Sequence, residues 1–265
     1  MFTVSDAQIN AWLGLLMWPF FRIMAIFAAD PFYSSRAIPV RVRAGLALLL
    51  SLLLSSSLPP MPAVEPVSPL GLMILAQQIL IGLAMGFVMR LVFTSVEFAG
   101  HLAGLQMGLG FASFYDPQNG ANTAVMAQIT SLLTILLFLA LNGHLLLIET
   151  LARSFVVLPV EARPLNLKSL RMLVESGGQI FLLGLLLSLP VVGALLITNL
   201  SIGVMSRAAP QFNVFGIGFP LMLGIGIGAF YWTLPYFVSH LQRLIDFATR
   251  MTLQMAKQAG NWPGT

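Results

Sequence analysis

Few side chains in this sequence could take part in acid–base or metal chemistry, and the best-spaced pair is Glu97 and His101. They are four residues apart, so on a helix they would share one face and could form a proton relay or hold a metal ion. Two ligands are too few for a zinc site, and the sequence contains neither an HExxH motif nor a cysteine. The spacing therefore favours a local hydrogen bond between Glu97 and His101.

Two arginines also lie within apolar runs, Arg22 and Arg90. Arg22 could be a functional charge inside a membrane. The pattern favours a structural role instead, in which the guanidinium pairs with a neighbouring helix or reaches the surface. No GxSxG elbow, Walker loop or cluster of carboxylates is present in any apolar run. The sequence therefore predicts no enzyme, no cofactor and no metal site.

The composition identifies the elements that must position these residues. The chain has 265 residues, of which 58% are hydrophobic and 8% charged, and its mean hydropathy is +0.91. Since soluble domains carry about 25% charged residues, we expect an all-α, polytopic membrane protein. The net charge of +4 comes from basic residues at the ends of apolar runs. That placement indicates membrane topology and predicts no nucleic-acid binding. The first ten residues contain no basic residue, which predicts no cleavable signal peptide.

Six apolar runs are predicted to be membrane spans. The last of them is rich in glycine and is followed by a predicted amphipathic helix, Leu241–Lys257, with an Asp246–Arg250 pair. We expect that helix to dock on partners at the cytoplasmic side. The predicted spans are Ala11–Ala29, Ala44–Leu58, Leu70–Val96, Thr123–Leu147, Gly177–Ser201 and Phe212–Val238.

A glycine-rich and aromatic stretch, Gly100–Pro117, is unusual for a membrane protein. Glycines four apart let another helix backbone come close, which predicts packing faces at Gly100 and Gly104 and at Gly82 and Gly86. Two further glycines then give the backbone more conformational freedom, and three aromatic residues follow them. The sequence predicts hinge positions at Gly108 and Gly110 and a plug or gate formed by Phe111, Phe114 and Tyr115.

The distribution of basic residues indicates how this stretch is placed. If Glu97–Tyr115 enters the protein as a half-crossing, the basic links all fall on the cytoplasmic side and Arg207 alone lies opposite. An irregular turn at Gly108–Gln118 cannot face lipid, so it must line a protein or water-filled cavity. Its rings could then form an apolar constriction in a conduit. Ordinary packing or an interfacial aromatic cluster is the alternative reading.

Four stretches of the sequence carry a resemblance to a known family. Together with the rest of the chain, they resemble the flagellar members of the FliR/SctT family of type III secretion export-gate subunits. The stretches are FRIMAIFAADPFYSSRAIPVRVRAGLAL (Phe21–Leu48), GLQMGLGFASFYDP (Gly104–Pro117), ILLFLALNGHLLLIETL (Ile135–Leu151) and RAAPQFNVFGIGFPL (Arg207–Leu221).

The resemblance implies a division of the chain and a set of partners. Residues 1–176 would form a FliP-like portion with a plug turn at about 106–118, residues 177–257 a FliQ-like helical hairpin, and residues 258–265 a short tail. The expected partners are FliP, FliQ, FlhB and FlhA. The expected location is the bacterial inner membrane, in the flagellar basal body, where unfolded flagellar proteins would be exported. The resemblance places Phe111 and Phe114 in the plug, and Tyr115 is added from the sequence alone.

Two functions therefore stay open at the level of the sequence. The first is a non-enzymatic subunit of a protein-conducting gate. The second is a stand-alone secondary transporter of a small solute, which would be expected to carry charges at the membrane midplane and two related halves. Intramembrane charges are few here and no internal repeat is found, so the gate subunit is favoured.

Overall fold

The structure, a computed structural model, describes residues 6–111, 125–161, 166–209 and 214–260. Within these ranges the regular elements are helices, and no strand is formed. A short 3-10 turn, Leu109–Phe111, follows the third α-helix. The α-helices are α1 (Asp6–Ala29), α2 (Val40–Ser55), α3 (Pro69–Gln106), α4 (Val125–Ala140), α5 (Gly143–Val157), α6 (Leu167–Ser176), α7 (Gln179–Ala208) and α8 (Val214–Gly260).

The predicted class of an all-α polytopic membrane protein is confirmed. Over the described residues, four helical stretches are long and apolar enough to cross a membrane, and α4 with α5 makes a fifth candidate, bent by 67°. The four stretches are Ala11–Ala29, Pro69–Gln106, Arg171–Ala208 and Gly216–Gly260.

The second and fourth predicted spans differ from the observed helices in length and in continuity, respectively. Helix α2 has 16 residues, or about 24 Å at 1.5 Å per residue, which is less than the roughly 30 Å of a hydrocarbon core. The predicted span Thr123–Leu147 is interrupted, because Asn142 adopts a left-handed φ of 56° between α4 and α5. Asparagine tolerates this conformation better than most residues, so the chain can turn there and start a new helix.

The predicted boundary between a third span and a half-crossing at Glu97 is wrong. Helix α3 runs without a break for 38 residues, from Pro69 to Gln106. Neither a proline nor a left-handed residue interrupts the helix near Glu97. The stretch that begins at Gly100 is therefore the last part of one long helix.

A short helix, α6, lies in the polar stretch between α5 and α7. Helix α5 continues to Val157, and α6 begins after Asn166, whose side-chain Oδ1 accepts a hydrogen bond from the Lys168 backbone N–H at 3.0 Å. Such a bond satisfies one of the free N–H groups at a helix start. Helix α6 has a polar face, which carries an exposed Arg171–Glu175 ion pair of 2.7 Å.

The chain forms two compact units. The first unit contains Met1–Leu91, Asn142–Gly177 and Ile245–Thr265. Within it, Gly82 and Gly86 of α3 face α1 so closely that a Cβ at Gly86 would lie 2.6 Å from the Cβ of Ala29. The helix backbones can approach only because both positions lack a side chain.

The second unit contains Val92–Leu141 and Gly178–Leu244. Here Gly100 of α3 lies against α4, where an added Cβ would meet the Thr130 hydroxyl and would be 2.8 Å from the Met126 carbonyl oxygen. The contact at Gly104 is looser, because a Cβ there would be 3.3 Å from that of Met126. A third close contact joins Gly184 of α7 to the Ser95 carbonyl region of α3. Glycine positions therefore set the spacing of three helices in this unit.

The apolar stripe of the C-terminal part of α8 is buried within the chain itself. Its apolar residues, Leu241, Leu244, Ile245, Ala248, Met251 and Met255, are each at most 6% exposed. The sequence predicts that this helix docks on partners. Its apolar stripe is already covered by the chain and is therefore not a free surface for such a contact. The predicted Asp246–Arg250 ion pair is also wrong, since neither residue has an ion-pair partner among the described residues.

We predict that Gly100→Ala destabilises the chain and that Gly203→Ala does not. The new methyl group at Gly100 would meet backbone and hydroxyl atoms of α4, so the helices must separate, at a cost of about 1–3 kcal/mol. Gly203 of α7 has open space at the same position. The check is the thermal unfolding midpoint of each purified variant in detergent. A Gly100→Ala midpoint equal to that of Gly203→Ala would contradict the close contact.

Candidate functional site

The first candidate site is the turn that follows α3. The helix ends at Gln106, and Gly108 then takes a left-handed φ of 81°. Glycine is the residue that adopts this conformation without steric cost, and it commonly ends helices for that reason. The Gly108 N–H donates to the Leu105 carbonyl at 3.1 Å, and the chain continues into the 3-10 turn Leu109–Phe111. The left-handed Gly108 therefore ends α3 and separates it from the 3-10 turn.

Met107 anchors this turn in the second unit. Its side chain is fully buried in an apolar cluster with Ala103, Met126, Val191 and Leu195. A Cβ at Gly226 of α8 would lie only 2.6 Å from Cγ of Met107, so that glycine provides the room the thioether needs. The end of α3 is thus held by α4, α7 and α8 at one point.

Only some of the predicted hinge and plug residues lie within the described part of the chain. Gly108 and Gly110 lie in the turn, and a Cβ at Gly110 would be 3.2 Å from Cδ2 of Leu105. Phe111 is the last residue of the 3-10 turn. Phe114 and Tyr115 lie outside the described residues. The roles of these three aromatic residues as a plug stay predictions.

The predicted hydrogen bond between Glu97 and His101 is wrong. Both side chains are exposed on α3 and neither has a bonding partner among the described residues. On an exposed face, water satisfies both groups, so the helical spacing alone gives no reason for the pair to form. Over the same residues, no group of three potential metal ligands is brought together.

The second candidate site is a buried arginine in the first unit. Arg22 of α1 is fully buried and bonds three acceptors: Oε1 of Gln78 at 2.7 Å, Oγ of Ser154 at 3.2 Å and the Leu158 carbonyl oxygen at 3.1 Å. Its guanidinium carbon also lies 4.0 Å from the centre of the Phe155 ring. The side chain neither reaches the surface nor pairs with a carboxylate among these contacts, and it ties α1, α3 and the end of α5 together.

A cluster of polar groups joins the end of α1 to α3 in the same unit. The Oδ1 atom of buried Asp30 accepts hydrogen bonds from the N–H groups of Phe32 and Tyr33, at 2.9 and 3.0 Å. Arg90 donates from Nε to the Ala29 carbonyl at 2.9 Å and from Nη2 to Ser34 Oγ at 3.3 Å. Burial raises the pKa of Asp30 to about 6, although the two N–H groups and the nearby Arg90 charge oppose that shift. The cluster fixes the chain direction as it leaves α1.

Several of these residues gave no clear signal in the sequence. Arg22 is a charge within an apolar run, but its three acceptors lie 56, 132 and 136 residues further along the chain. Met107 and Gly226 read as ordinary apolar and small residues. Contacts between positions so far apart are not encoded in local spacing, and only the packed structure pairs them.

Comparison with known proteins identifies the class to which this helical membrane protein belongs. Residues 13–248 match the family described as bacterial export proteins, family 1. The match covers most of the chain and includes α3, the turn after it, α7 and all of α8 but its last twelve residues. The chain therefore belongs to family 1 of the bacterial export proteins.

Individual relatives narrow this class to the flagellar members. The chain is 42% identical over 246 residues to the flagellar biosynthetic protein FliR of Escherichia coli (strain K12), covering 93% of this chain and 94% of the relative. FliR of Pectobacterium carotovorum subsp. carotovorum is 42% identical over 244 residues, with 91% and 93% covered. FliR of Bacillus subtilis (strain 168) is 29% identical over 209 residues, with 78% and 80% covered. The resemblance to FliR is confirmed, and the chain is a membrane-embedded component of a flagellar export apparatus.

We predict that Gln78→Met lowers the stability of the chain by about 1.5–3 kcal/mol, because a buried guanidinium loses its shortest hydrogen bond. The double change Arg22→Met with Gln78→Met should recover part of this loss, since the buried charge and its acceptor are removed together. Thermal unfolding in detergent measures both. Arg153→Ala is the control, because its ion pair with Glu149 is exposed and worth at most about 1 kcal/mol. A neutral Gln78→Met would show that Arg22 does not depend on this amide.

We also predict a pH dependence that originates at Asp30. Because its pKa is raised to about 6 in the fold, the folded chain binds a proton more tightly than the unfolded chain between about pH 4 and pH 6. The free energy of unfolding should therefore fall as the pH rises through that window, by about 1.4 kcal/mol per unit of pKa difference, and level off above it. Asp30→Asn should remove this slope. A slope that persists in Asp30→Asn would assign the effect to other groups.

Proposed function

We propose that this chain is a non-enzymatic subunit of the flagellar type III protein export gate. With FliP and FliQ it forms the channel that passes unfolded flagellar subunits across the bacterial inner membrane. FlhB and FlhA are the proposed neighbours in the flagellar basal body. The sequence similarity to flagellar FliR proteins over more than nine-tenths of the chain supports the assignment to this apparatus.

The geometry of the turn after α3 is the single observation that carries the gate proposal. A barrier against ions that a polypeptide can displace must be apolar and must move without unfolding its support. The support is rigid here, because Met107 is fully buried and Gly100 is packed against α4. The left-handed Gly108 then starts a tight turn that leads directly into the aromatic segment beginning at Phe111. In this proposal Phe111, Phe114 and Tyr115 form the plug, and Gly108 and Gly110 are its hinge.

The exposure of the hairpin formed by α7 and α8 supports assembly with other helices. In the most apolar 18 residues of Pro69–Gln106, 61% of the residues are buried. The corresponding share is 22% in Arg171–Ala208 and 11% in Gly216–Gly260. Gly224 and Gly228 of α8 are four residues apart, and neither has an atom within 4 Å of an added Cβ. Open small-residue faces favour close helix association in membranes. We propose that residues 177–257 are the FliQ-like hairpin and that residues 1–176 are the FliP-like portion.

The test is the double variant Phe111→Ala with Phe114→Ala. If the two rings form the plug, the complex should still assemble with FliP and FliQ, and the resting membrane should become leaky to small ions. If the rings are core packing, each change should cost about 3–5 kcal/mol and the complex should be lost. The measurements are ion leak in cells that express the complex, together with its recovery by co-purification.

A matched control removes two rings elsewhere. Phe87 and Phe219 are 37% and 44% exposed and lie outside the turn, so Phe87→Ala with Phe219→Ala should leave the membrane tight. An intact complex without leak in the Phe111 and Phe114 variant would remove the plug assignment. A chain that is stable alone and does not recover FliP or FliQ would contradict the gate proposal and favour a stand-alone transporter.

A further inference from the structure

A groove lies between α7 and α8 in the second unit and has a volume of about 420 Å³. This volume is within the range of roughly 300–1,000 Å³ that is usual for small-molecule sites. Its floor and walls are mainly apolar, and its polar residues are concentrated toward the C-terminal end of the α8 side. The lining residues are Leu186, Leu187, Pro190 and Ala194 from α7, and Ala229, Trp232, Thr233, Tyr236, Phe237, His240 and Arg243 from α8.

The chemistry of the groove changes along α8. Trp232 and Tyr236 are 79% and 75% exposed, so each contributes a large ring that the rest of the described chain does not cover. One and two turns further along lie His240 and Arg243, the basic residues of the lining. Tryptophan and tyrosine are enriched where the hydrocarbon meets the headgroups, and arginine binds phosphate. A ligand with an apolar tail and an anionic head fits this order.

The pair at the polar end of the groove has an unsatisfied donor. Nη2 of Arg243 lies 3.4 Å from Nδ1 of His240, and a guanidinium can only donate. Nδ1 of a neutral His240 must therefore accept, which puts the ring proton on Nε2. Nε2 is buried and has no hydrogen-bond partner among the described residues. No carboxylate of the same residues forms an ion pair with Arg243. The pair thus presents the exposed Arg243 cation without an anion, next to a His240 N–H group that has no acceptor among the described residues.

The position of the pair along the sequence agrees with a membrane interface. The residues of α8 before His240 are all uncharged, and charged residues first occur at Arg243, followed by Asp246, Arg250 and Lys257. An apolar run that gives way to charged residues marks the level of the lipid headgroups. Arg243 is therefore placed where a lipid phosphate would be.

We propose that this groove binds one anionic phospholipid. Its phosphate lies on Arg243, which His240 orients through Nδ1, and one acyl chain follows the apolar wall from Tyr236 toward Ala194 and Ala229. The site is independent of the proposed gate function, because it uses none of the turn residues.

Two observations favour a lipid over a partner helix at this surface. A helix would leave the Arg243 charge and the His240 donor without an anion, whereas a phosphodiester supplies one. The small-residue face suited to a helix, Gly224 and Gly228, is not part of the groove lining. The walls are bulky rings and leucines, which suit a flexible chain better than a rigid helix backbone.

The experiment is lipid retention by the purified complex, measured by native mass spectrometry. The complex is delipidated in detergent and mixed with equal amounts of phosphatidylglycerol and phosphatidylcholine that carry the same acyl chains. We expect preferential retention of one phosphatidylglycerol. Arg243→Gln should reduce that retention by about fivefold. Arg250→Gln is the matched control, because Arg250 is exposed and unpaired on the same helix but does not line the groove, and it should have no effect.

Two further variants test whether the apolar wall of the groove contributes to binding and whether the bound molecule is a lipid. Ala194→Phe fills the groove and should reduce retention of phosphatidylglycerol without changing any charge. A photocrosslinking residue at position 232 should label lipid in native membranes. Equal retention of both lipids, equal losses in Arg243→Gln and Arg250→Gln, or crosslinks to protein alone would each overturn the proposal.

Discussion

The close approach of helix backbones along α3 is the constraint on which the rest of the structure depends. In a membrane, burying apolar side chains against one another brings little advantage over burying them in lipid, so helices associate through tight packing. Gly82 and Gly86 permit such packing on α1 in the first unit, and Gly100 permits it on α4 in the second. One helix of 38 residues therefore contributes a closely packed glycine face to each compact unit.

Many buried hydroxyl groups in the described part of the chain are satisfied within their own helix. Buried hydroxyls donate to carbonyls one turn earlier, as Thr130 does to Ala127 and Thr134 to Thr130, at 2.9 and 2.7 Å. Such bonds remove the cost of burying a hydroxyl without any distant partner. Arg22 cannot be satisfied in this way, since its donors point away from its own helix toward acceptors of α3 and α5 and the chain after α5. Its position thus depends on the assembled unit.

The turn after α3 combines a fixed base with a residue that can adopt unusual backbone angles. Burial of Met107 requires the space left by Gly226, so the base of the turn depends on α8 as well as on α3. The left-handed Gly108 follows immediately. A rigid support beside a tight turn is the arrangement that a displaceable barrier needs, which is why the gate proposal rests on this point of the fold.

The sequence alone determined the class of the protein and its local rules, because these follow from composition and short spacing. A charged fraction of 8% excludes a soluble domain, and glycines four residues apart predict close helix faces. Only the tertiary structure decided where helices continue or break: α3 passes Glu97 without interruption, and Asn142 separates α4 from α5. It also decided which distant groups meet, such as Arg22 with Gln78 and Met107 with Gly226. These pairings depend on packing between residues more than fifty positions apart, and no local pattern in one sequence specifies them.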